Sequence, residues 1–278
     1  MNFKLGYIQG RFVSLINEKI QAYPEKEWKQ DLSIASKNGF SNVELTLDLD
    51  KIYETPLLNS DNDILNNELK KRDINAVAVT ADFFMQSLPW QKNNNELEEL
   101  SKIIKDVMLN MHNLGIKILV LPFVDESSLD QKDIPKAISF LSKLTTVLKN
   151  SNIKVAIESD FEPKLLKNMM DMLPDGIFGI NYDLGNSASL DFDIEEEFSV
   201  YGNKIIHIHI KDRLINGTTV SLGKGNVDFD KFFSCVEKIG YDDYMIFQTA
   251  RSKDGLHQKE MKNNLKFFLD SSKKTTEK

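Results

Sequence analysis

Short apolar runs alternate with longer amphipathic segments along the whole chain. The apolar runs have the length and the residue types that are typical of strands. One of them, Ile118 to Leu121, is apolar at every position, as expected of a parallel strand that is covered on both faces. The predicted strands are Phe3 to Ile8, Val43 to Leu45, Ala76 to Thr80, Ile118 to Leu121, Val155 to Ile157, Ile177 to Tyr182, Ile205 to Ile210 and Tyr244 to Phe247.

Between these runs, apolar residues recur at steps of three and four, which is the period of an amphipathic helix. The clearest helix lies between Leu97 and Leu114, and Gly115 follows it, a residue type that helices favour just past their last turn. The other predicted helices are Trp28 to Ala35, Ile64 to Lys71, Ile134 to Leu148, Pro163 to Met172, Glu195 to Phe198, Phe229 to Ile239 and Gln258 to Phe268.

This order gives eight strand–helix units without a linker-like break, which predicts parallel β/α units. Eight such units that close on themselves form an α/β fold, the TIM (β/α)8 barrel, whose active site lies at the C-terminal ends of the strands. The alternative is an open doubly wound sheet, but the segment Gln9 to Phe12 after the first strand has no GxGxxG motif. We predict a single barrel domain over residues 1–270 and a disordered tail over residues 271–278.

The composition limits the classes of partner. The 278 residues carry a formal net charge of −7, which argues against a nucleic-acid-binding protein. No apolar run approaches the length of a membrane span, and the N-terminus lacks the apolar segment of a signal peptide. Cys235 is the single cysteine, so the chain forms no intrachain disulfide and no thiolate metal cluster. We therefore expect a cytoplasmic protein.

The seventh predicted strand carries two histidines. Because side chains alternate between the faces of a strand, His207 and His209 share one face and the isoleucines around them share the other. Two imidazoles at this spacing can point at one site, as metal binding or proton transfer requires. The alternative is that both are core histidines bonded to backbone or carboxylate groups.

Polar residues also follow the other predicted strands, and in a barrel they would meet at one mouth. Any one of them alone is better explained as a helix cap or a solvated loop residue, but together they predict a functional site. These residues are Gln9, Arg11, Glu44, Asp82, Asp125, Glu158, Asp160, Asp183 and Gln248.

The chain resembles the xylose isomerase-like TIM barrels, a group of sugar phosphate isomerases and epimerases that includes tagatose and psicose 3-epimerases and inosose enzymes. The resemblance rests on the segments Val155 to Glu158, Asp183 to Asn186, His207 to Asp212, Gly223 to Phe229 and Gly240 to Tyr244. It implies a divalent ion held by Glu158, Asp183 and His209. Oxygen ligands with one imidazole suit Mn²⁺, our first expectation, and also Mg²⁺, Co²⁺, Fe²⁺ or Zn²⁺.

At the fourth ligand position the family has a glutamate, whereas this chain has Gln248. A Gln carbonyl can bind a metal, but it cannot exchange a proton at neutral pH. The epimerases of the family use two glutamates that face each other across the substrate, so this chain retains one, Glu158. Its second proton-transfer partner is then His207 or Lys211, with Asp160 and Glu44 as alternatives.

The resemblance also implies a carbohydrate substrate and residues that contact it. Arg11 is of the type that grips a phosphate or carboxylate, and Trp90 with Phe83 and Phe84 offers a flat wall for a sugar face. A solvated arginine and ordinary loop packing are the alternatives. The predicted substrate-binding residues are Gln9, Arg11, Glu44, Asp82, Trp90, Asp160, Asn186 and Arg213.

Three functions are consistent with these residues. The first is a metal-dependent sugar or sugar phosphate isomerase or epimerase that abstracts a proton next to a carbonyl. The second is a keto-sugar or inosose dehydratase or lyase with one carboxylate base, and the third is a metal- or sugar-binding barrel without turnover. The related apurinic endonucleases have a histidine-rich three-metal site, whereas this chain has four histidines in all. The resemblance further implies a homo-oligomer.

Overall fold

The computed structural model describes residues 3–50, 52–59, 62–149 and 151–276. Its strands are β1 (Lys4–Ile8), β2 (Asn42–Thr46), β3 (Asn75–Thr80), β4 (Ile118–Phe123), β5 (Lys154–Ser159), β6 (Phe178–Asp183), β7 (Ile205–Ile210), β8 (Asp212–Arg213), β9 (Thr219–Val220) and β10 (Tyr244–Phe247). Among the described residues, eight parallel strands form a closed barrel in which β10 pairs with both β7 and β1. The strands β8 and β9 form a separate antiparallel pair. The predicted TIM barrel is confirmed.

Along the chain, each barrel strand is followed by one or two helices. They are α1 (Trp28–Lys37), α2 (Asn62–Lys71), α3 (Phe83–Gln86), α4 (Asn94–Leu114), α5 (Ile134–Leu148), α6 (Pro163–Asp171), α7 (Leu184–Ser189), α8 (Ile194–Tyr201), α9 (Phe229–Lys238) and α10 (His257–Thr276), with short 3₁₀ turns at Ile52–Glu54, Pro89–Gln91, Asp125–Ser127, Gln131–Asp133 and Gly202–Lys204. None of the helices in the described part of the chain is long and apolar enough to cross a membrane.

The ends of α4 show how the local sequence sets the helix bounds. The Asn93 side chain accepts hydrogen bonds from the backbone N–H groups of Asn95 and Glu96, and the Glu96 side chain accepts one from the N–H of Asn93. This capping box satisfies N–H groups that have no partner within the helix. At the other end Gly115 has φ 73°, in the left-handed region that glycine adopts without strain.

The hydrophobic residues form two layers. The larger layer lies between the barrel and its helices, and the smaller one fills the inside of the barrel. Close packing inside the barrel requires small residues, because a Cβ at Gly179 would lie 2.6 Å from Cγ1 of Ile206. The inner layer consists of Ile8, Val77, Ala78, Ile118, Val120, Ala156 and Ile246. The barrel is therefore blocked in the middle, and polar side chains are left at its two ends.

The last helix is longer than the sequence predicts. It continues through Thr276, so the predicted disordered tail is corrected over residues 271–276, while residues 277–278 lie outside the described residues. Ser271 and Ser272 are buried, and earlier in the helix Phe268 packs edge-on against Phe233 and Phe247. The polar composition of this segment predicts disorder, but packing against the rest of the protein outweighs the local preference.

Candidate active site

His209 lies at the centre of the polar end of the barrel. Its side chain is 0% exposed and its two ring nitrogens face different carboxylates. Nδ1 lies 3.3 Å from Oε2 of Glu158 and 3.9 Å from Oδ2 of Asp183, while Nε2 lies 2.9 Å from Oε1 of Glu44. Three predicted site residues from three other strands thus meet around one imidazole.

Strand register brings these groups together. Asp183 on β6 is the register partner of His209 on β7, and β5, which carries Glu158, pairs with the other edge of β6. Asn181 lies between them, because it precedes Asp183 by two residues and occupies the same face. Its Nδ2 donates to Oε2 of Glu158 at 2.7 Å and lies 3.0 Å from Nδ1 of His209. We did not predict Asn181, although its two-residue spacing from Asp183 was a usable signal.

The short helix α7 fixes the remaining oxygens. Oδ1 of Asp183 accepts the backbone N–H of Asn186 at 2.8 Å, which caps the helix. The Asn186 side chain then donates through Nδ2 to Oε1 of Glu158 at 2.6 Å. Asn186 therefore fixes the position of the Glu158 carboxylate.

Three of the four predicted metal ligands fit a cation. Glu158, Asp183 and His209 each offer a ligand atom, and these atoms lie within 4.8 Å of one another. Two carboxylates and an imidazole suit a divalent ion of intermediate hardness. A second group of the same kind, Glu44 with His207 and His209, lies on the other side of the imidazole.

Gln248, the fourth predicted ligand, reaches this group through Lys211. The ammonium of Lys211 donates to Oε1 of Gln248 at 3.1 Å, to Oδ2 of Asp183 at 3.2 Å and to Oδ1 of Asn186 at 3.2 Å. Lys211 therefore supplies a positive charge at the edge of the predicted metal site. A carboxylate at position 248 would form an ion pair with Lys211. Because Gln248 is neutral, Asp183 is the charged partner of Lys211 here.

Burial and charge shift the pKa values of these groups in opposite directions. Burial raises the pKa of Glu158, but His209, Lys211 and Asn181 outweigh it and leave the pKa below its ordinary value. For Asp183, burial prevails over Lys211 and the pKa is raised. Burial lowers the pKa of His209, but Glu44 and Glu158 outweigh that effect and raise it to about 10. The carboxylates thus stabilise positive charge around this imidazole.

A cavity of about 450 Å³ opens above the group. Of the predicted site residues, six line it, and its wall also includes residues of the loops after β1 and β4. The six are Asp82, Asp125, Glu158, Asn186, Lys211 and Gln248. Carboxylate, amide and ammonium groups therefore face one space that is large enough for a small polar molecule.

The loop between β1 and α1 closes one side of this cavity through Gln21, a residue that we did not predict. Its Nε2 donates to Oδ2 of Asp82 at 2.8 Å, and its Oε1 accepts from Nε2 of Gln248 at 2.8 Å. Arg11 holds the same loop, since Nη1 donates to the backbone oxygen of Ile20 at 2.7 Å and Nη2 to Oε1 of Gln21 at 3.3 Å. Sequence position gives no signal for Gln21, because it lies far from any strand end.

Several predicted substrate-binding residues have structural partners instead. Gln9 is buried and accepts the backbone N–H of Thr46 at 3.3 Å. Arg11 is 3% exposed, and burial together with the charge of Arg251 lowers its pKa to about 9. Asp160 accepts from Ser128 Oγ at 3.0 Å, and Arg213 donates through Nη1 to Oδ1 of Asn186 at 2.9 Å. All four lie outside the set of described residues that line the cavity.

The predicted aromatic wall is wrong. Trp90 is buried with its ring centroid 5.2 Å from that of Phe123 and 6.4 Å from that of Phe84. Phe83 and Phe84 are fully buried as well. These rings join the hydrophobic layer outside the barrel, because a large apolar side chain gains more from close packing than from facing a polar cavity.

Comparison with known proteins decides the family. The sequence model of the family described as xylose isomerase-like TIM barrel matches residues 32–270. The chain belongs to this family. A Haemophilus influenzae protein, SgbU, named as a proposed L-ribulose-5-phosphate 3-epimerase, is 23% identical over 244 residues, which is 82% of this chain and 85% of SgbU.

Solved structures of similar fold agree with that assignment. The xylose isomerase domain protein from Planctomyces limnophilus has a TM-score of 0.76 at 16% identity and covers 99% of both chains. The IOLI protein, solved with a bound zinc atom, has a TM-score of 0.74 at 20% identity and covers 98% of this chain and 99% of its own. At these identities the likeness shows the fold.

In this xylose isomerase-like barrel, Glu44 lies beneath the cavity and between the two histidines. Oε2 lies 2.5 Å from Nε2 of His207, while Oε1 lies 2.9 Å from Nε2 of His209 and accepts the hydroxyl of Thr80. Burial raises the pKa of Glu44, but the two histidines outweigh it and keep the pKa below its ordinary value. We infer that Glu44 orients His209 and does not touch a substrate, and that His207, which is 1% exposed, supports Glu44.

This geometry predicts an effect of Glu44 on metal affinity. A carboxylate that accepts the second N–H of a metal-binding histidine sets its tautomer, and losing it costs about 10- to 100-fold in affinity. We expect Glu44→Ala to weaken Mn²⁺ binding by about that factor in calorimetry. The matched control is Glu197→Ala, because Glu197 is also buried but bonds Tyr182, Ser187 and Tyr201. Equal losses in both variants would contradict the role of Glu44.

The raised pKa of Asp82 predicts that the stability of the protein depends on pH. Burial raises its pKa to about 7, so the native carboxyl keeps its proton up to neutrality, whereas the unfolded chain releases it near pH 4. Between about pH 4 and 7 the native state binds more protons, so this group's contribution to the free energy of unfolding falls as pH rises. Asp82→Asn cannot ionise and should exceed the parent stability by about 1–2 kcal/mol at pH 8, with the difference shrinking towards pH 4.

Urea unfolding of parent and variant across this pH range measures the difference. Asp175→Asn is the control, because the Asp175 side chain is 94% exposed. A stability difference that does not change with pH would mean that Asp82 ionises at its ordinary value.

Proposed function

We propose that this protein is a metal-dependent isomerase or epimerase of sugars or sugar phosphates that abstracts a proton next to a carbonyl. The observation that carries the proposal is the convergence of Glu158, Asp183 and His209 below a polar cavity at the C-terminal mouth of the barrel. The names of SgbU and of the zinc-bound IOLI structure support an epimerase and a divalent ion respectively.

Glu158, Asp183 and His209 would hold the ion, with the carbonyl of Gln248 as a fourth ligand and Mn²⁺ as the expected metal. When bound, such an ion polarises a carbonyl and a neighbouring hydroxyl, which acidifies the C–H bond between them. The low pKa of Glu158 keeps its carboxylate ionised, so it can accept that proton. Asn181 and Asn186 orient both of its oxygens.

Two further groups that line the cavity can take part in the reaction. Asp82 has a pKa of about 7, which suits a group that both gives and accepts a proton at neutral pH. Lys211 can bind the oxygen on which negative charge develops, since its ammonium already lies against Asp183 and Gln248. His207 is too deeply buried for the predicted catalytic role, because its Nε2 bonds Glu44.

Proton exchange with solvent tests the proposal. The Mn²⁺-loaded protein is incubated in D₂O with L-ribulose 5-phosphate, free ketopentoses and free ketohexoses, and NMR follows deuterium at the carbon next to the carbonyl. We expect exchange in the parent and a loss of about 10²- to 10⁴-fold in Glu158→Gln. Glu197→Gln is the matched control, since Glu197 is a buried glutamate behind α7. No exchange with any sugar would instead support the barrel without turnover.

Gln248 favours a second candidate, a dehydratase or lyase that acts on a keto-sugar or inosose. Such a reaction needs one base and a leaving hydroxyl, and a neutral amide at position 248 leaves a single carboxylate, Glu158, among the predicted metal ligands that line the cavity. Loss of water from the substrate, measured alongside exchange, separates this candidate from the first.

The same residue gives a prediction about the metal. Gln248→Glu adds a third anionic ligand, so we expect Mn²⁺ to bind roughly tenfold more tightly in calorimetry. It should also increase 3-epimerase activity on free ketoses. The control is Gln21→Glu, which adds a charge in the same cavity on a residue outside the predicted ligand set. A parent protein that already epimerises free ketoses at an ordinary enzymic rate would show that the second carboxylate is not needed.

A further inference from the structure

A second cavity, of about 770 Å³, lies at the opposite end of the barrel, where the strands begin. Its lining includes four lysines, which come from the first residue of β1, the first residue of β5, the residue before β4 and the helix α2. They are Lys4, Lys154, Lys117 and Lys70. This cavity is separated from the candidate active site by the apolar layer inside the barrel.

Strand alternation turns two of these lysines towards the barrel axis. Lys154 shares a face with Ala156, which lies in the inner apolar layer, and with Glu158, which lines the opposite cavity. Lys4 shares a face with Ile8 of the same layer. Its Nζ lies 5.7 Å above the ring of Tyr244, its register partner on β10. The ring fixes the direction of the Lys4 side chain.

The four ammonium groups have no anionic partner in the described part of the chain. Other lysines of this protein do, for example Lys204, which pairs with Asp171 at 3.1 Å and Asp175 at 3.3 Å. Among the described residues that line the cavity, Asp243 is the one carboxylate, and its Oδ1 accepts the backbone N–H of Tyr244. The lining therefore has a formal charge of +3 in a chain of net charge −7.

We propose that this cavity binds a small multivalent anion, namely a polyphosphate group, free or as part of a nucleotide. Unpaired like charges in a concave, partly apolar wall repel one another and focus a positive potential that a multivalent anion relieves. Lysine ammonium groups bind phosphate as point charges. Three lining asparagines add amide donors for phosphate oxygens, Asn66, Asn75 and Asn152.

Calorimetric titration with inorganic tripolyphosphate in metal-free buffer tests the site. We expect one anion per chain, with an affinity that falls when the salt is raised from about 0.05 M to 0.5 M. Lys4→Gln/Lys154→Gln should weaken binding by about tenfold or more, because two of the four charges are lost. Lys70→Gln/Lys117→Gln removes the other two lysines of the lining, has the same expectation and is used if the first pair does not fold.

The matched control is Lys105→Gln/Lys143→Gln, which removes two exposed lysines from α4 and α5 and should leave the affinity unchanged. A parallel titration with ATP identifies the source: tighter binding than tripolyphosphate assigns a nucleotide, and equal binding assigns the phosphates alone. Absence of binding at millimolar tripolyphosphate, or equal losses in the control pair, overturns the proposal. So does a loss of affinity in Lys211→Gln, because Lys211 lines the cavity at the other mouth and the loss would place the anion there.

Discussion

A closed parallel barrel forces every second residue of each strand into one shared interior. That constraint organises this protein more than any single bond. On β5 the inward positions run from Lys154 through Ala156 to Glu158, that is, from a cation through an apolar contact to an anion. The apolar middle provides the packing, so the two ends can carry charges: Lys154 is exposed, whereas Glu158 is buried and hydrogen-bonded.

Glu44 shows what such charges require. A carboxylate with no solvent contact is costly unless its oxygens are fully hydrogen-bonded, and here Thr80, His207 and His209 supply the donors. Two histidines and a threonine thus stabilise one buried anion. Nδ1 of His209 is not part of these bonds and faces Glu158 and Asp183. The proposed metal site therefore shares its histidine with the cluster that stabilises the buried Glu44 carboxylate.

The fold could be predicted because the spacing of apolar residues differs between strands and helices. Strands alternate inward and outward positions, helices have one apolar face, and glycine or asparagine follows several of the helices. Glu158, Asp183 and His209 could be predicted because strand ends meet at one mouth and because the sequence resembles a known family. The partners of Glu44 could not, because they depend on register between strands that lie far apart in sequence. Gln21 could not either, since its position depends on how a long loop folds back.

The prediction that Trp90 contacts a substrate was wrong for a related reason. A sequence shows that a ring is near a site but not which side of the loop the ring faces. The prediction of a disordered tail was wrong because a polar helix end can still pack against the barrel through a few buried residues.

The hydrogen bonds of Gln21 have a consequence for access to the cavity. Its amide bonds one carboxylate oxygen of Asp82 and the side-chain nitrogen of Gln248, and both residues line the cavity that an incoming molecule would enter. Binding therefore has to exchange these bonds for new ones, and the measured affinity is the difference between the two sets. A molecule that matches both groups loses little by the exchange, whereas one that satisfies a single group leaves the other without a partner. A molecule that bonds these two atoms would therefore compete with Gln21, and such competition favours selectivity over tight binding.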